Sequence, residues 1–353
     1  MKAVFPVRLV LPIMDSTSPQ PARKENTMSI AIETGNVEKH NAAPEFAAAP
    51  LIAPVAGQIG ADVAGVDLRR PLTAQQVADI RAALHRFKVL FFHDQQIGHA
   101  EQIAFTSRFG VVTPSHPYDD EAPEGFPEIL AVDSRKYAER FGKVRYSYDN
   151  KWHTDVTALI NPPAATVLRA DLVPAQGGDT QWTNLAAAYR ALPESLQRLA
   201  DGLRAEHRFG GRHPQWSHDS SYAQKTRTNP IVTEHPVVRV HPVTGERSLF
   251  VTPGFTSRIV GLSPSQSDRL LDLFFEEVTN PAHTVRLRWR PGTIAFWDNR
   301  ATAHLAPTDL DDLETTRVLY RTTLEGDVPV GPDGQPSTSI AGSEFRGAAL
   351  SGN

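Results

Sequence analysis

Short β-like runs bounded by proline and glycine constrain the fold of this 353-residue chain more than any other feature. The chain holds 28 prolines and 23 glycines, and apolar runs recur between them, as expected for strands that end at turns. The runs do not alternate regularly with helical patterns, which argues against a doubly wound sheet and favours a sandwich or barrel. The predicted strands are residues 88–92, 165–169, 237–240, 248–251, 284–288, 293–297 and 317–323.

Three helices are predicted beside these strands. Thr73 and Gln76 have the spacing of a capping box, and apolar residues follow at helical intervals. A second helix starts at Ser263, which a proline follows directly. A third spans residues 185–203, with a break near Pro193. Few helices and many strands together predict a mainly β fold with flanking helices.

Composition divides the chain into three parts. Residues 1–50 are rich in Pro, Ser, Ala and Asn without a sustained period, so we expect a disordered N-terminal leader. Residues 51–330 are expected to form a single domain, and residues 331–353 a flexible C-terminal tail. Arg8 and two prolines interrupt the apolar run at the start of the chain, so this run does not resemble a signal peptide. We therefore expect a cytoplasmic protein.

Charge and cysteine content exclude several functional classes. The net charge of −4 gives no polyelectrolyte signal, so nucleic acid is not an expected partner. No apolar run reaches membrane-spanning length, so a membrane is not an expected partner either. The chain has no cysteine, which excludes disulfides, thiolate zinc sites and thiol nucleophiles. A metal site must therefore use histidine and carboxylate. A homo-oligomer is compatible with the sequence.

A His-x-Asp pair and a distant histidine form a candidate metal site. His153 and Asp155 lie in residues 152–157 (WHTDVT), and in an extended segment both side chains would point to the same face. His304 follows a predicted strand and is expected in a polar turn, where it could supply a third ligand. This ligand set holds non-haem Fe(II) and leaves other positions open. Zinc could use the same ligands, and the pair could instead be only hydrogen bonded.

Two arginines alternate along a predicted strand. Arg317 and Arg321 would share one strand face, and inside a barrel their charges would require anions. The planar guanidinium suits a carboxylate or sulfonate. The alternative is an exposed face in which the arginines pair with Glu325 or Asp327.

Two further polar residues could contact an anion. Thr180 ends a Gly-Gly-Asp-Thr turn, and its hydroxyl could donate a hydrogen bond to a carboxylate. His116 lies between serine and proline and could be a second anion contact, although a histidine in such a loop is more often simply exposed. Neither residue defines a site alone.

Five ordered segments resemble the taurine dioxygenase family of Fe(II)- and 2-oxoglutarate-dependent dioxygenases. The resemblance extends from about Pro54 to Asp327. It implies a double-stranded β-helix, or jelly-roll core, with helices outside. The segments are residues 152–157, 177–180, 235–239, 254–260 and 297–300.

The resemblance also implies a catalytic centre. His153, Asp155 and His304 would bind Fe(II), while Arg317 and Thr180 would hold the far carboxylate of the cosubstrate 2-oxoglutarate. With O₂, such an enzyme would hydroxylate the carbon next to an anionic sulfonate group, as in taurine. The products would be succinate, CO₂, an aldehyde and sulfite.

Substrate-binding positions follow from the same resemblance. Arg321 and His116 would meet the sulfonate, and the backbone at Val156 would lie nearby. Phe209 and Phe255 would line the substrate pocket. A small anionic organic molecule, a sulfonate or a sulfate ester, is thus the expected partner.

Three departures from the taurine enzyme favour a bulkier substrate. Ala158 stands where the taurine enzyme has a pocket phenylalanine, the connection from His304 to Arg317 is longer, and residues 133–150 are longer and more basic. An alkyl sulfate ester or phenoxyalkanoate dioxygenase of the same family is therefore the alternative. A zinc hydrolase and a non-enzymatic jelly-roll binding protein are alternatives from other classes.

Overall fold

A computed structural model describes a mainly β protein over residues 49–118, 122–136, 151–212, 221–306, 309 and 315–347. Residues 1–48 of the predicted leader lie outside this part. The strands are β1 Leu51–Pro54, β2 Ala61–Ala64, β3 Val89–Phe92, β4 Leu130–Asp133, β5 Ala165–Leu172, β6 Thr180–Asn184, β7 Arg204–Arg208, β8 Val232–Pro236, β9 Val238–Val240, β10 Arg247–Leu249, β11 Thr256–Ile259, β12 Thr284–Leu287, β13 Ile294–Asp298, β14 Thr302–Leu305, β15 Val318–Leu324 and β16 Thr338–Ala341. The helices are α1 Ala74–Phe87, α2 His99–Ser107, α3 Leu185–Ala191, α4 Glu194–Asp201, α5 Ser221–Thr228 and α6 Pro264–Val278, with a 3₁₀ turn at Pro281–His283. None of the helices described is long and apolar enough to cross a membrane.

The strands form four sheets. The largest has seven strands in the order β1-β2-β3-β13-β5-β15-β4, and a three-stranded sheet has the order β12-β6-β14. Trp182 of β6 packs on Trp297 of β13, with ring centroids 5.5 Å apart, so these two sheets face each other across a buried layer. A four-stranded sheet, β11-β7-β8-β16, and the pair β10-β9 complete the set. The arrangement confirms the predicted fold class, a mainly β protein with a double-stranded β-helix core and flanking helices.

The central strands of the large sheet are buried on both faces. In β13, Ile294 and Phe296 contribute to one core cluster, while Ala295 and Trp297 contribute to another. This division follows from the two-residue period of a strand. Helices α1 and α2 cover the first face, where Ile80 enters the same cluster. Each large apolar side chain buried in this way stabilises the fold by about 1.5–3 kcal/mol.

The helices begin where the capping patterns predict. Thr73 Oγ1 accepts a hydrogen bond from the Gln76 backbone N–H at 3.1 Å, and Gln76 Oε1 accepts one from the Thr73 N–H at 3.0 Å. Helix α6 begins directly after Ser263, whose backbone N–H and hydroxyl both donate to Gln266 Oε1, at 3.1 and 2.9 Å. The third predicted helix is two helices, α3 and α4, because the chain turns out of the helix at Leu192 and Pro193.

The C-terminal segment differs from the sequence prediction of a flexible tail. Residues 331–347 lie against the body, and β16 pairs antiparallel with β8. The Ser337 hydroxyl donates to the Pro329 carbonyl at 3.0 Å, and the Asn161 side chain bonds both the N–H and the C=O of Phe345 at 2.9 Å. The segment is polar and rich in Gly and Pro, yet its backbone groups find partners on the body that composition does not reveal.

Candidate functional site

Backbone pairing brings the three predicted metal ligands together. His153 and His304 exchange two backbone hydrogen bonds, at 2.9 and 2.7 Å, and their ring centroids are 4.1 Å apart. His304 Nε2 lies 4.0 Å from Asp155 Oδ1, and one potential ligand atom from each residue lies within 4.8 Å of the others. All three side chains are buried. His304 lies in strand β14 rather than in the polar turn predicted, so its position is fixed by the sheet.

The extended segment ends in a strained turn at Asp155. Val156 has φ = 46°, in the left-handed region that a β-branched residue rarely adopts. Gly254 approaches the same segment so closely that a Cβ there would lie 2.7 Å from the His153 Cβ. Backbone strain of this kind persists only where surrounding structure enforces it, and it is typical of functional sites. The constraint on Gly254 was not predicted from the sequence.

Hydrogen bonds fix both carboxylate oxygens of Asp155. Thr166 Oγ1 donates to Oδ2 at 2.6 Å, and Arg321 Nη1 donates to Oδ1 at 2.8 Å. Behind Thr166, Asn299 Nδ2 donates to the threonine hydroxyl, and Trp297 Nε1 donates to Asn299 Oδ1, both at 2.8 Å. Thr166 was missed in the sequence because a single threonine in a strand carries no chemical signal.

The protonation states of Asp155 and His304 fit a divalent metal. Burial raises the pKa of Asp155, but the charge of the Arg321 guanidinium opposes it first, with the hydrogen bond from Thr166 beside it, and the pKa is held at about 2. Burial, with His153 nearby, lowers the pKa of His304 well below its usual value. His153 Nδ1 lies 2.8 Å from the Lys151 carbonyl and donates to it, so Nε2 is the ring nitrogen left to face a metal. An ionised carboxylate and neutral imidazoles are the forms that bind a metal.

A second group with similar spacing is already neutralised by the chain. His85, His241 and Asp298 also bring potential ligand atoms within 4.8 Å of one another. Arg300 donates to both oxygens of Asp298, at 2.8 and 2.7 Å, and His241 Nε2 lies 3.0 Å from Oδ2. His241 Nδ1 accepts two backbone N–H groups. With Arg300 as its cation, this group is a structural ion-pair network.

A cavity lies beside the candidate metal ligands. Both predicted arginines are buried at its wall, and Arg317 Nη2 lies 3.3 Å from Thr180 Oγ1. The alternative of an exposed strand face is wrong, because both arginines are buried. The acids proposed as their partners bind elsewhere: Glu325 pairs with Arg346, and Asp327 with Arg239. The cavity is lined by Val132, His153, Leu168, Thr180, Trp297, His304, Ala306, Arg317 and Arg321.

Arg321 lines this cavity, and the other predicted substrate residues lie in or beside a group of aromatic rings near His153. The Phe255 ring centroid is 6.2 Å from that of His153, and the His116 centroid is 5.8 Å from that of Phe209. His116 Nδ1 accepts the Tyr118 backbone N–H at 3.1 Å. Tyr118 and Tyr222 were missed in the sequence. The group, here named the aromatic cluster, comprises Tyr118, Val156, Ala158, Leu159, Phe209, Tyr222 and Phe255.

Two loops that the sequence analysis singled out fall largely outside the described residues. These are residues 137–150 of the basic segment and residues 307–314 of the connection to Arg317, of which only Asp309 is described. Asp309 Oδ1 accepts the Gly178 backbone N–H at 2.9 Å, so this connection reaches the turn that precedes Thr180.

Comparison with known proteins gives one consistent family. A family model described as "Taurine catabolism dioxygenase TauD, TfdA family" matches residues 51–323. A Pseudomonas putida protein named α-ketoglutarate-dependent sulfate ester dioxygenase is 41% identical, over 80% of this chain and 92% of its own. An alkylsulfatase of Acinetobacter baylyi is 39% identical, over 79% and 86%.

A solved structure matches at comparable identity. A taurine dioxygenase from Burkholderia xenovorans is 47% identical, with a TM-score of 0.72, over 84% of this chain and 96% of that chain. The names of these relatives thus include sulfate esters on the one hand and taurine on the other.

Proposed function

We propose a substrate and residue roles for this chain, which belongs to the taurine catabolism dioxygenase TauD, TfdA family. It is a 2-oxoglutarate-dependent non-haem iron dioxygenase, so the zinc hydrolase and binding-protein alternatives are not retained. The proposed substrate is an alkyl sulfate ester, hydroxylated at the carbon that carries the sulfate. A taurine-like sulfonate, placed first in the sequence analysis, is the second candidate, and the Burkholderia relative favours it.

The observation that carries the proposal is the convergence of His153, Asp155 and His304 beside the buried Arg317–Thr180 pair. The three ligands would hold Fe(II) on one side and leave its other positions open. When bound, iron and 2-oxoglutarate supply the oxidising chemistry, and the protein supplies binding and orientation. Arg317 and Thr180 would receive the far carboxylate of 2-oxoglutarate through charge-assisted hydrogen bonds.

Arg321 would act as an anchor for the anionic head group. A guanidinium stays protonated, so Arg321 is neither an acid nor a base in the reaction. Its Nη1 donates to Asp155 at 2.8 Å, and its Nη2 lies 3.4 Å from the Ser115 carbonyl. These contacts hold the side chain at the boundary between the metal ligands and His116, where the head group would lie.

The aromatic cluster favours an uncharged alkyl tail. Its members present aliphatic and aromatic surface, and Ala158 is fully buried among them. Taurine has an ammonium group, which would be costly to place against apolar surface without a partner. An alkyl chain would gain roughly 0.8 kcal/mol for each buried methylene.

The proposed product explains why hydroxylation releases sulfate. A carbon that carries both a hydroxyl and a sulfate ester collapses when the hydroxyl loses its proton. The C–O bond to sulfate then breaks with its electron pair, and an aldehyde remains. No acid from the protein is needed, because sulfate is a stable anion when it leaves.

Succinate formation across matched substrates tests the proposal. With Fe(II), ascorbate and 2-oxoglutarate, hexyl sulfate against hexanesulfonate isolates the head group, and ethanesulfonate against taurine isolates the ammonium. We expect hexyl sulfate to give the highest kcat/KM, with sulfate and succinate formed in equal amounts. Asp155→Ala should abolish both products. Preference for taurine, or succinate without sulfate, would refute the sulfate ester assignment.

A further inference from the structure

We infer that Trp289 is a positioning residue that makes the Thr180 hydroxyl an obligatory hydrogen-bond donor toward the cosubstrate cavity. Trp289 thereby selects a carboxylate as the far end of the cosubstrate. This inference rests on the proposed placement of 2-oxoglutarate at Thr180 and Arg317. It concerns a residue that lies outside the cavity wall and acts through Thr180.

The Thr180 hydroxyl already accepts two hydrogen bonds from neighbouring side chains. A threonine hydroxyl has one proton to donate and two lone pairs that accept. Trp289 Nε1 donates to Thr180 Oγ1 at 2.9 Å, and Arg317 Nη2 donates to the same oxygen at 3.3 Å. Both lone pairs are therefore occupied. Among the described residues the hydroxyl proton has no acceptor, although Thr180 is buried at the cavity wall.

Strand pairing fixes the direction of the Trp289 indole. Strand β12 pairs antiparallel with β6 in a register that places Leu287 opposite Thr180, and Trp289 follows two residues later. The indole is buried in a core cluster, and its centroid is 6.3 Å from that of Trp182. A ring enclosed in this way cannot turn its N–H away from Thr180. The hydroxyl therefore accepts from the indole, and its role as a donor is set before a ligand binds.

A hydroxyl that can only donate affects which cosubstrate binds as well as how tightly it binds. A freely rotating hydroxyl could serve a donor or an acceptor, whereas one with both lone pairs occupied can only donate. A carboxylate accepts this bond and carries a charge opposite to that of Arg317, while an uncharged alkyl end offers the Thr180 hydroxyl proton no acceptor. The cavity should therefore prefer a 2-oxo dicarboxylic acid over a 2-oxo monocarboxylic acid of similar length.

Binding of cosubstrate to the Fe(II)-loaded protein under nitrogen tests the inference. Equilibrium dialysis with radiolabelled 2-oxoglutarate gives Kd directly, and competition by 2-oxovalerate, which lacks the far carboxylate, gives the comparison. We expect Trp289→Phe to weaken 2-oxoglutarate roughly 3- to 10-fold, the range expected for one hydrogen bond. Binding of 2-oxovalerate should not change. In a Thr180→Val background Trp289→Phe should have no further effect, because the hydroxyl it orients is gone.

Trp182→Phe is the matched control. Trp182 is fully buried in the same cluster, but its indole N–H has no hydrogen-bond partner among the described residues. Its substitution should therefore leave the Kd of 2-oxoglutarate unchanged. If Trp289→Phe does not fold, 3-benzothienylalanine at position 289 removes only the N–H and takes its place.

Two kinds of failure are distinguishable. Equal weakening of 2-oxoglutarate and 2-oxovalerate, or effects that add in the double variant, would overturn the role of Trp289 and leave the proposed function intact. Absence of any effect from Thr180→Val and from Arg317→Gln would instead show that the cosubstrate carboxylate binds elsewhere. The inference would then fall with the placement on which it rests.

Discussion

The two carboxylate oxygens of Asp155 accept hydrogen bonds from different side chains. Thr166 donates to one oxygen and Arg321 to the other, so the carboxylate plane is held before any ligand binds. A buried carboxylate without partners would cost several kcal/mol. The same contacts keep Asp155 ionised, as its pKa of about 2 requires. Orientation and charge thus have a common cause.

Thr166→Val tests this orientation at the scale of one residue. Valine keeps the volume and removes the hydroxyl, so Asp155 loses one bond while its charge remains. We expect metal affinity to fall about 10- to 100-fold, the range for such supporting contacts. Fe(II) titration under nitrogen measures it. Thr183→Val is the control, since Thr183 is equally buried but donates to the Val278 carbonyl. Equal affinities for both variants would contradict the prediction.

At the scale of elements, strands β7 and β8 place two buried histidines behind the turn after Asp155. His207 Nδ1 lies 3.0 Å from Thr157 Oγ1, and His235 Nε2 lies 2.8 Å from the Thr157 carbonyl. The other nitrogen of His235 lies 2.6 Å from Ser337 Oγ, next to β16. Burial lowers the pKa of His207 to about 3, and burial with His207 nearby lowers that of His235 well below its usual value.

The buried histidines predict a pH dependence of stability. Below about pH 6.5 the unfolded chain binds a proton on each histidine, and above about pH 3 folded His207 does not. The free energy of unfolding therefore falls as the pH decreases through this window, by up to about 1.4 kcal/mol per pH unit for each histidine. Urea unfolding at pH 7, 6 and 5 measures the slope. His207→Asn should reduce the slope by the share of one histidine, and an unchanged slope would count against the assignment.

The attachment of the C-terminal segment gives a second prediction for an element. Asn161→Ala removes both hydrogen bonds to the Phe345 backbone, and we expect it to lower the free energy of unfolding by about 1–3 kcal/mol. Chemical unfolding measures the change. Asn229→Ala provides a control, since Asn229 is exposed. An equal, small effect from both variants would mean that the contact contributes little.

Elements with a strong local signal could be predicted, and those held by distant partners could not. The α1 capping box and the continuous apolar run of β3 are local patterns, and both elements were predicted from the sequence. Helix α2 begins after Gly98, which offers no capping side chain, and it was missed. Strand β16 is mostly exposed and exists because β8 pairs with it. The candidate ligands His153 and Asp155 have a local spacing signal, whereas the contacts of Thr166 with Asn299 and of Trp289 with Thr180 join residues more than 100 positions apart.

At the scale of the whole molecule, the site joins residues that only the folded chain brings together. His153 and His304 meet through one antiparallel bridge between distant segments. A metal and 2-oxoglutarate that bind this geometry bind the folded state and not the unfolded one. Binding energy therefore adds to stability, and the added amount depends on ligand concentration.

Thermal unfolding with and without ligands checks this coupling. With Fe(II) and 2-oxoglutarate under nitrogen, each ligand at about 100 times its Kd should add roughly 2.7 kcal/mol. The midpoint should rise accordingly, and a chelator should reverse the rise. Asp155→Ala should show no shift with either ligand. Stabilisation of that variant equal to that of the unchanged protein would contradict the proposed ligand set.

The attachment of β16 to β8 also has a consequence for biosynthesis. Translation proceeds from the N-terminus, so β16 leaves the ribosome after every other strand described. Until then β8, which carries His235, remains an open edge of its sheet, and an open edge is prone to pair with other chains. Pairing with β16 would therefore protect the nascent chain from association with its neighbours, and chains that end near residue 330 would leave the edge of β8 exposed.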